Sequence, residues 1–160
     1  MFMAMKPQFI LVMRHAEKPA DSADPNLSAA GVARAGKLAH YIPDNFGDID
    51  LIFAAATSKH SVRPYETVKP LSDYIGVPVD STVAADDYAF LARELVSDAR
   101  FVNKRIVVCW HHENIPSFMR ALGASSGGFP DPWNPLVFDL IWEVTYGASL
   151  TTVTRMPQPF

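Results

Sequence analysis

The chain has 160 residues, 49% of them hydrophobic. That is enough for one ordinary core and too little for two, so a single domain over 1–160 is expected. A formal net charge of −3 excludes a basic surface able to neutralise a run of nucleic-acid phosphates, and the lone cysteine excludes an intramolecular disulfide framework.

The N-terminus sets Met and Phe around a single Lys. Its apolar run ends in Arg-His-Ala-Glu-Lys instead of a small-residue cleavage site, so no secretory leader is expected and a cytoplasmic protein without membrane attachment is the default. Phe9 to Met13 reads as a buried strand that delivers Arg14-His15 at its end, with Pro19 soon after. Asp, Ser and Pro between Ala20 and Asn26 mark a loop. A helix follows, capped by Ser28, with Val32, Ala35, Leu38, Ala39 and Ile42 as its apolar stripe and Pro43 as its stop. Asp50 to Ala55 is a second buried strand, followed by a helix to about Tyr74 that Ser61 would cap and Pro70 would kink or end. Val77 to Val83 reads as a third strand. Asp86-Asp87 precede a helix from Tyr88 to about Ala99, with Phe90, Leu91, Leu95 and Val96 on one face.

Lys104 to Trp110 is a fourth strand, in which Cys109 reads as a small buried hydrophobe. It delivers His111-His112-Glu113-Asn114 to a turn, and a short helix runs from Ile115 to Leu122 before Gly123. Gly127 to Pro135 is loop. Leu136 to Tyr146 and Ser149 to Arg155 form an antiparallel pair about Gly147. Strands alternating with helices and then a hairpin indicate an α/β three-layer αβα sandwich on a mainly parallel sheet.

If the strands are parallel neighbours, three strand ends bring Arg14-His15, the segment with Arg63, and His111-His112 to one edge. Arginine forks bind phosphate oxygens in bidentate fashion and stay charged, and neutral imidazole is a nucleophile near neutral pH. The two guanidinium groups would help keep His15 unprotonated. His111-His112-Glu113 read as metal ligands is set aside, because neighbouring side chains on an extended segment point apart and no Cys or third His stands at ligand spacing. His60, close to Arg63 in sequence, reads as an ordinary loop residue ahead of a substrate contact, His40 as a helix-surface residue, and Trp110, Trp133 and Trp142 as core or loop anchors.

Four segments resemble, in order, the signature blocks of the histidine phosphatase superfamily, the phosphoglycerate-mutase-like fold. They are Leu11-Val12-Met13-Arg14-His15-Ala16-Glu17; Leu27-Ser28 with Gly31 and Arg34-Ala35; Ser61-Val62-Arg63-Pro64 with Thr67, Pro70 and Leu71; and Val107 through Pro116. The likeness extends from about Phe9 to Gly123. It implies that His15 becomes a phosphohistidine, that Arg14 and Arg63 hold the phosphoryl group, and that His111 bonds the same oxygens. Lys18 and His112 would stand on the substrate side. A carboxylate after the third strand often serves as proton donor in such proteins; Asp86 ranks first for it here, ahead of Asp87, with Glu17 as a rival and plain helix-start charges as the bland alternative.

Ala16 stands where most relatives have Gly, and Glu17-Lys18-Pro19 replaces what marks mutases and sugar bisphosphatases. The absence of a lid-sized insertion favours hydrolysis over transfer. The resemblance thus implies a metal- and cofactor-independent phosphomonoester hydrolase acting on a small phosphorylated substrate or a phosphoprotein. A non-catalytic phospho-ligand or protein-binding module and a phosphomutase are the alternatives.

Overall fold

The computed structural model describes residues 5–160. The Met and Phe residues weighed in the leader reading lie partly outside the described residues. Six strands form one sheet in the order β3-β2-β4-β1-β5-β6: β1 Phe9–Arg14, β2 Leu51–Ala54, β3 Val79–Asp80, β4 Arg105–Trp110, β5 Leu140–Tyr146 and β6 Thr151–Pro157. The first four run parallel, and β5 and β6 add an antiparallel edge.

β1 is buried at every position, as a central strand covered on both faces must be. Its alternate residues face two different helix layers. Ile10 and Val12 pack with Val108, Trp110, Leu91, Leu95 and Phe118, while Leu11 and Met13 pack with Val107, Cys109, Leu38, Ile42, Val68 and Leu71. The three layers are therefore α1 (Ala29–Phe46) with α2 (Arg63–Ile75), the sheet, and α3 (Tyr88–Ser97) with α4 (Ile115–Ala121). Among the described residues no helix is long and apolar enough to cross a membrane.

Ser28 caps α1 as expected, accepting from the Gly31 amide at 3.1 Å. Pro43 does not stop the helix, which continues to Phe46. A proline inside a helix costs about 3 kcal/mol. Burial of Ile42 and Phe46, each of a size worth about 1.5–3 kcal/mol when fully buried, offsets that. The buried stripe is also phased differently: Val32 is exposed and Gly31 takes the inner position. A Cβ on Gly31 would lie 2.4 Å from the Glu17 carbonyl oxygen. Only glycine lets α1 approach the segment after β1 this closely.

Ser61 does not cap α2; Val62 occupies that position without a side-chain bond, although the Ser61 hydroxyl accepts from the Arg63 amide at 3.3 Å. Pro70 lies within α2 without ending it, since Leu71 and Ser72 beyond it are buried. The third strand shrinks to two residues because Asp80 Oδ1 accepts from both the amide and the hydroxyl of Thr82, turning the chain away. In α3, Ala92 instead of Phe90 faces the core. β5 starts at Leu140, not Leu136, because residues 135–138 are occupied near the end of β1.

Candidate active site

The register sets Arg14 level with Trp110, and both Met13 and Ala54 level with Cys109, so β1, β4 and β2 end along one line. That edge is where parallel sheets bind ligands. The His15 amide donates to Trp110 O at 3.1 Å. The Ala16 amide donates to Thr67 Oγ1 at 2.9 Å, and Thr67 Oγ1 donates to Arg63 O at 2.8 Å. One threonine thus ties the end of β1 to the first turn of α2.

His15 Nδ1 lies 2.7 Å from the Ala16 carbonyl oxygen. A carbonyl only accepts, so Nδ1 carries the proton and Nε2 keeps its lone pair. The bond uses only the backbone of residue 16 and its φ is not positive, so alanine serves there. Burial pushes His15 down to about 3, with the charges of Arg14, His111 and Arg63 as smaller causes in the same direction. The arginines do help keep it neutral, but burial is the larger cause at a residue only 3% exposed.

Arg14 Nη1 donates to Pro135 O at 2.6 Å and to Val137 O at 3.4 Å, and its Cζ stands 3.9 Å from the Phe138 ring centroid. Burial lowers its pKa to about 10, which leaves it charged. Its Nε is buried without a partner. Arg63 donates to Asp24 O at 2.6 Å, to Asn26 O at 3.1 Å and to Ser61 Oγ at 3.3 Å. Among the described residues neither guanidinium forms an ion pair. Two nearly buried cations held by neutral oxygens keep charge that an anion can neutralise.

A polar cleft of about 290 Å³ opens there, and Arg14, His15, Lys18, Arg63, Asp86, His111 and His112 all line it. The His111 ring stands edge-on to His15 with centroids 5.5 Å apart. Its pKa is lowered, mainly by burial, and that of His112 is lowered for the same first reason. Asp86 reaches the cleft from a single 3-10 turn, Ala85–Asp87. The indole nitrogen of Trp110 and the amide nitrogen of Asn114 both donate to Ala85 O, at 3.0 and 2.8 Å, and so fix that turn.

The rival carboxylates are placed elsewhere. Glu17 is held by Arg34 Nε at 2.8 and 3.1 Å and does not line the cleft, nor does Asp87. His60, read from the sequence as an ordinary loop residue, lines the cleft, because Ser58 Oγ accepts from the His60 and Ser61 amides and curls that loop. Its place three residues before Arg63 was the available signal. Glu113 and Asn114 also line the cleft, and the charge of Glu113 raises the pKa of Arg14, His111 and His112. Among the described residues no three His, Cys, Asp or Glu side chains are grouped so as to hold a metal ion.

No protein-family model and no curated protein matches the sequence. Solved structures do match. The protein histidine phosphatase SixA, complexed with tungstate, is 18% identical with a TM-score of 0.67, covering 93% of this chain and 96% of its own. A phosphoserine phosphatase mutant of Entamoeba histolytica with bound phosphoserine is 13% identical with a TM-score of 0.60, covering 91% and 94%. The phosphoglycerate mutase of Plasmodium falciparum is 15% identical with a TM-score of 0.56, covering 91% and 87%. Matches this extensive at such low identity concern the backbone, and they show that this chain has the phosphoglycerate-mutase-like fold.

Proposed function

We propose that this chain is a phosphomonoester hydrolase that works through a phosphohistidine on His15 and needs no metal. One observation carries the reading: Nδ1 of His15 is committed to Ala16 O, which leaves the Nε2 lone pair in a cleft walled by two cations without carboxylate partners. Arg14, Arg63 and His111 bind the phosphoryl oxygens and stabilise the charge that spreads over them in the transition state. Nε2 attacks phosphorus while the ester P–O bond breaks, and the carboxyl of Asp86 gives its proton to the departing oxygen. Water then attacks the phosphohistidine, the P–N bond breaks back onto Nε2, and Asp86 takes the water proton. The products are an alcohol and inorganic phosphate.

The fold hosts phosphatases and a mutase alike, and the rim favours hydrolysis. Lys18, His60, Asp86 and Glu113 are all exposed, so water can enter the mouth and compete for the phosphoenzyme. The substrate is a small phosphorylated molecule or a phosphoprotein, and the setting is a single cytoplasmic domain. The test is turnover of p-nitrophenyl phosphate in excess chelator. Wild type should turn over and His15→Ala should not; activity persisting in that variant overturns the reading. Vanadate binding without turnover of any phosphoester would select the binding module instead, and recovery of an isomeric phosphoester would select a mutase.

A further inference from the structure

A second cleft, of about 260 Å³, lies against the segment that holds Arg14. Its walls are Pro130, Trp133, Val137, Leu140 and Trp142, with Asn134 and Arg155 beside them. Trp133 and Trp142 are buried, and Arg155 is exposed directly across the β5–β6 ladder from Trp142. Opposed residues of an antiparallel pair share a face, which sets the guanidinium of Arg155 beside the apolar wall.

The surface of this cleft is almost wholly apolar, and the charged group at its edge is the Arg155 guanidinium. Among the described residues Arg155 forms no ion pair. Trp142 carries a buried indole N–H with no acceptor, and Asn134 has spent its carbonyl oxygen on the Leu136 amide at 3.0 Å. No carboxylate lines the cleft. Clefts for drug-sized ligands run from about 300 Å³ upward, so this one suits a single-ring body. The chemistry it would recognise is an apolar ring or chain ending in a carboxylate.

The cleft also shares its wall with the catalytic arginine. Trp133 Nε1 donates to Val137 O at 3.0 Å, the same oxygen that Arg14 Nη1 approaches, and Pro135 O takes the shorter bond from Arg14. Trp133 and Val137 line the second cleft, while the carbonyls of 135 and 137 accept from Arg14. We propose that this cleft is a second ligand site for a small aryl or alkyl carboxylate, and that its occupancy steadies the 133–138 segment and thereby the Arg14 cradle. By linkage, ligand and phosphate each tighten the other's binding.

The test uses 4-phenylbutyrate as probe, followed by tryptophan fluorescence and calorimetry, with the uncharged 4-phenylbutanol as its control. Saturable millimolar or tighter binding is expected, weakened about tenfold in Arg155→Glu and restored in Arg155→Lys, with the alcohol bound at least as weakly as the acid binds Arg155→Glu. Saturating inorganic phosphate should raise probe affinity about fivefold, the lower end of common coupling factors. No saturable binding, equal binding of the alcohol, indifference to Arg155→Glu, or an affinity that phosphate leaves unchanged each overturns the proposal. Competition by phosphate also overturns it, because that would place the probe in the first cleft. Binding is read without turnover, so the outcome does not depend on hydrolysis; the phosphate arm rests on the first cleft binding phosphate, which phosphate titration without the probe reads separately.

Discussion

Arg14, His15 and Arg63 are between 2% and 8% exposed, and each is held by a backbone carbonyl. Lys18, Asp86 and Glu113, on the rim of the same cleft, are exposed. The turn that carries Asp86 is held through the carbonyl of its neighbour Ala85. The part that would grip the phosphoryl group is thus built into the end of the sheet, where backbone carbonyls orient each side chain. The part that would meet the rest of the substrate is a set of solvated side chains on loops. A rigid grip suits chemistry common to all phosphoesters, and a loose rim leaves room for specificity.

Breaking the buried side should have the largest effect. His15→Ala removes the attacking atom and should lower kcat on p-nitrophenyl phosphate by at least about 10⁴-fold, a scale set by nucleophile removal elsewhere; an alkaline quench with labelled substrate should trap a phosphoprotein only in the wild type. Arg63→Ala removes one oxyanion partner and should cost about 10²–10³ in kcat/KM. The remaining turnover should still respond to vanadate, because Arg14 and His111 stay in place.

On the rim, Asp86→Asn should slow hydrolysis of an alkyl phosphate by about 10²–10⁴, the usual range for a general acid. Its effect on p-nitrophenyl phosphate should be smaller, because that leaving group hardly needs a proton. Equal losses on both substrates would show that Asp86 is not the donor. Gly31→Ala tests the packing behind the nucleophile. With the Glu17 carbonyl in the way, it should cost about 1–3 kcal/mol, and Tm should fall by about 2–4 °C for each, read by calorimetry.

The last effect concerns pH. His15 has a folded-state pKa of about 3 against an ordinary value of 6.5. Between those values the unfolded chain binds more protons than the folded one, so stability falls as pH drops through that window. His111 and His112 act in the same direction. Tm of the wild type should therefore decline more steeply than that of His15→Ala as pH is lowered from 6.5. Parallel curves would mean that His15 is not held neutral by the fold.

The layers of the fold were legible because β1 and β4 are apolar runs of strand length, ending in Arg14-His15 and Trp110-His111, and because the intervening segments carry helical spacing. Helix stops and faces were less legible. Pro43 and Pro70 are strong local signals, but burial of Phe46 and Leu71 beyond them outweighs the lost hydrogen bond. Val32 and Phe90 look like core residues and are 59% and 49% exposed, because a close backbone approach at Gly31 and the packing of Ala92 set the helix phases. Among the carboxylates, sequence ranked Asp86, Asp87 and Glu17 without separating them. The Ala85 carbonyl and the Arg34 guanidinium separate them in space.

Sequence alone determined the sheet-and-helix alternation and put Arg14, His15 and His111 at strand ends and Arg63 in the segment after the second strand, since both follow from hydrophobic period and chain order. Tertiary structure decided which nitrogen of His15 is free, what holds each arginine, which carboxylate shares the cleft, and that His60 and Glu113 join it. Each of those depends on a partner distant in the chain, such as Thr67 for Ala16 or Pro135 for Arg14. No local pattern encodes such partners, because only the packed layers bring them within hydrogen-bonding reach.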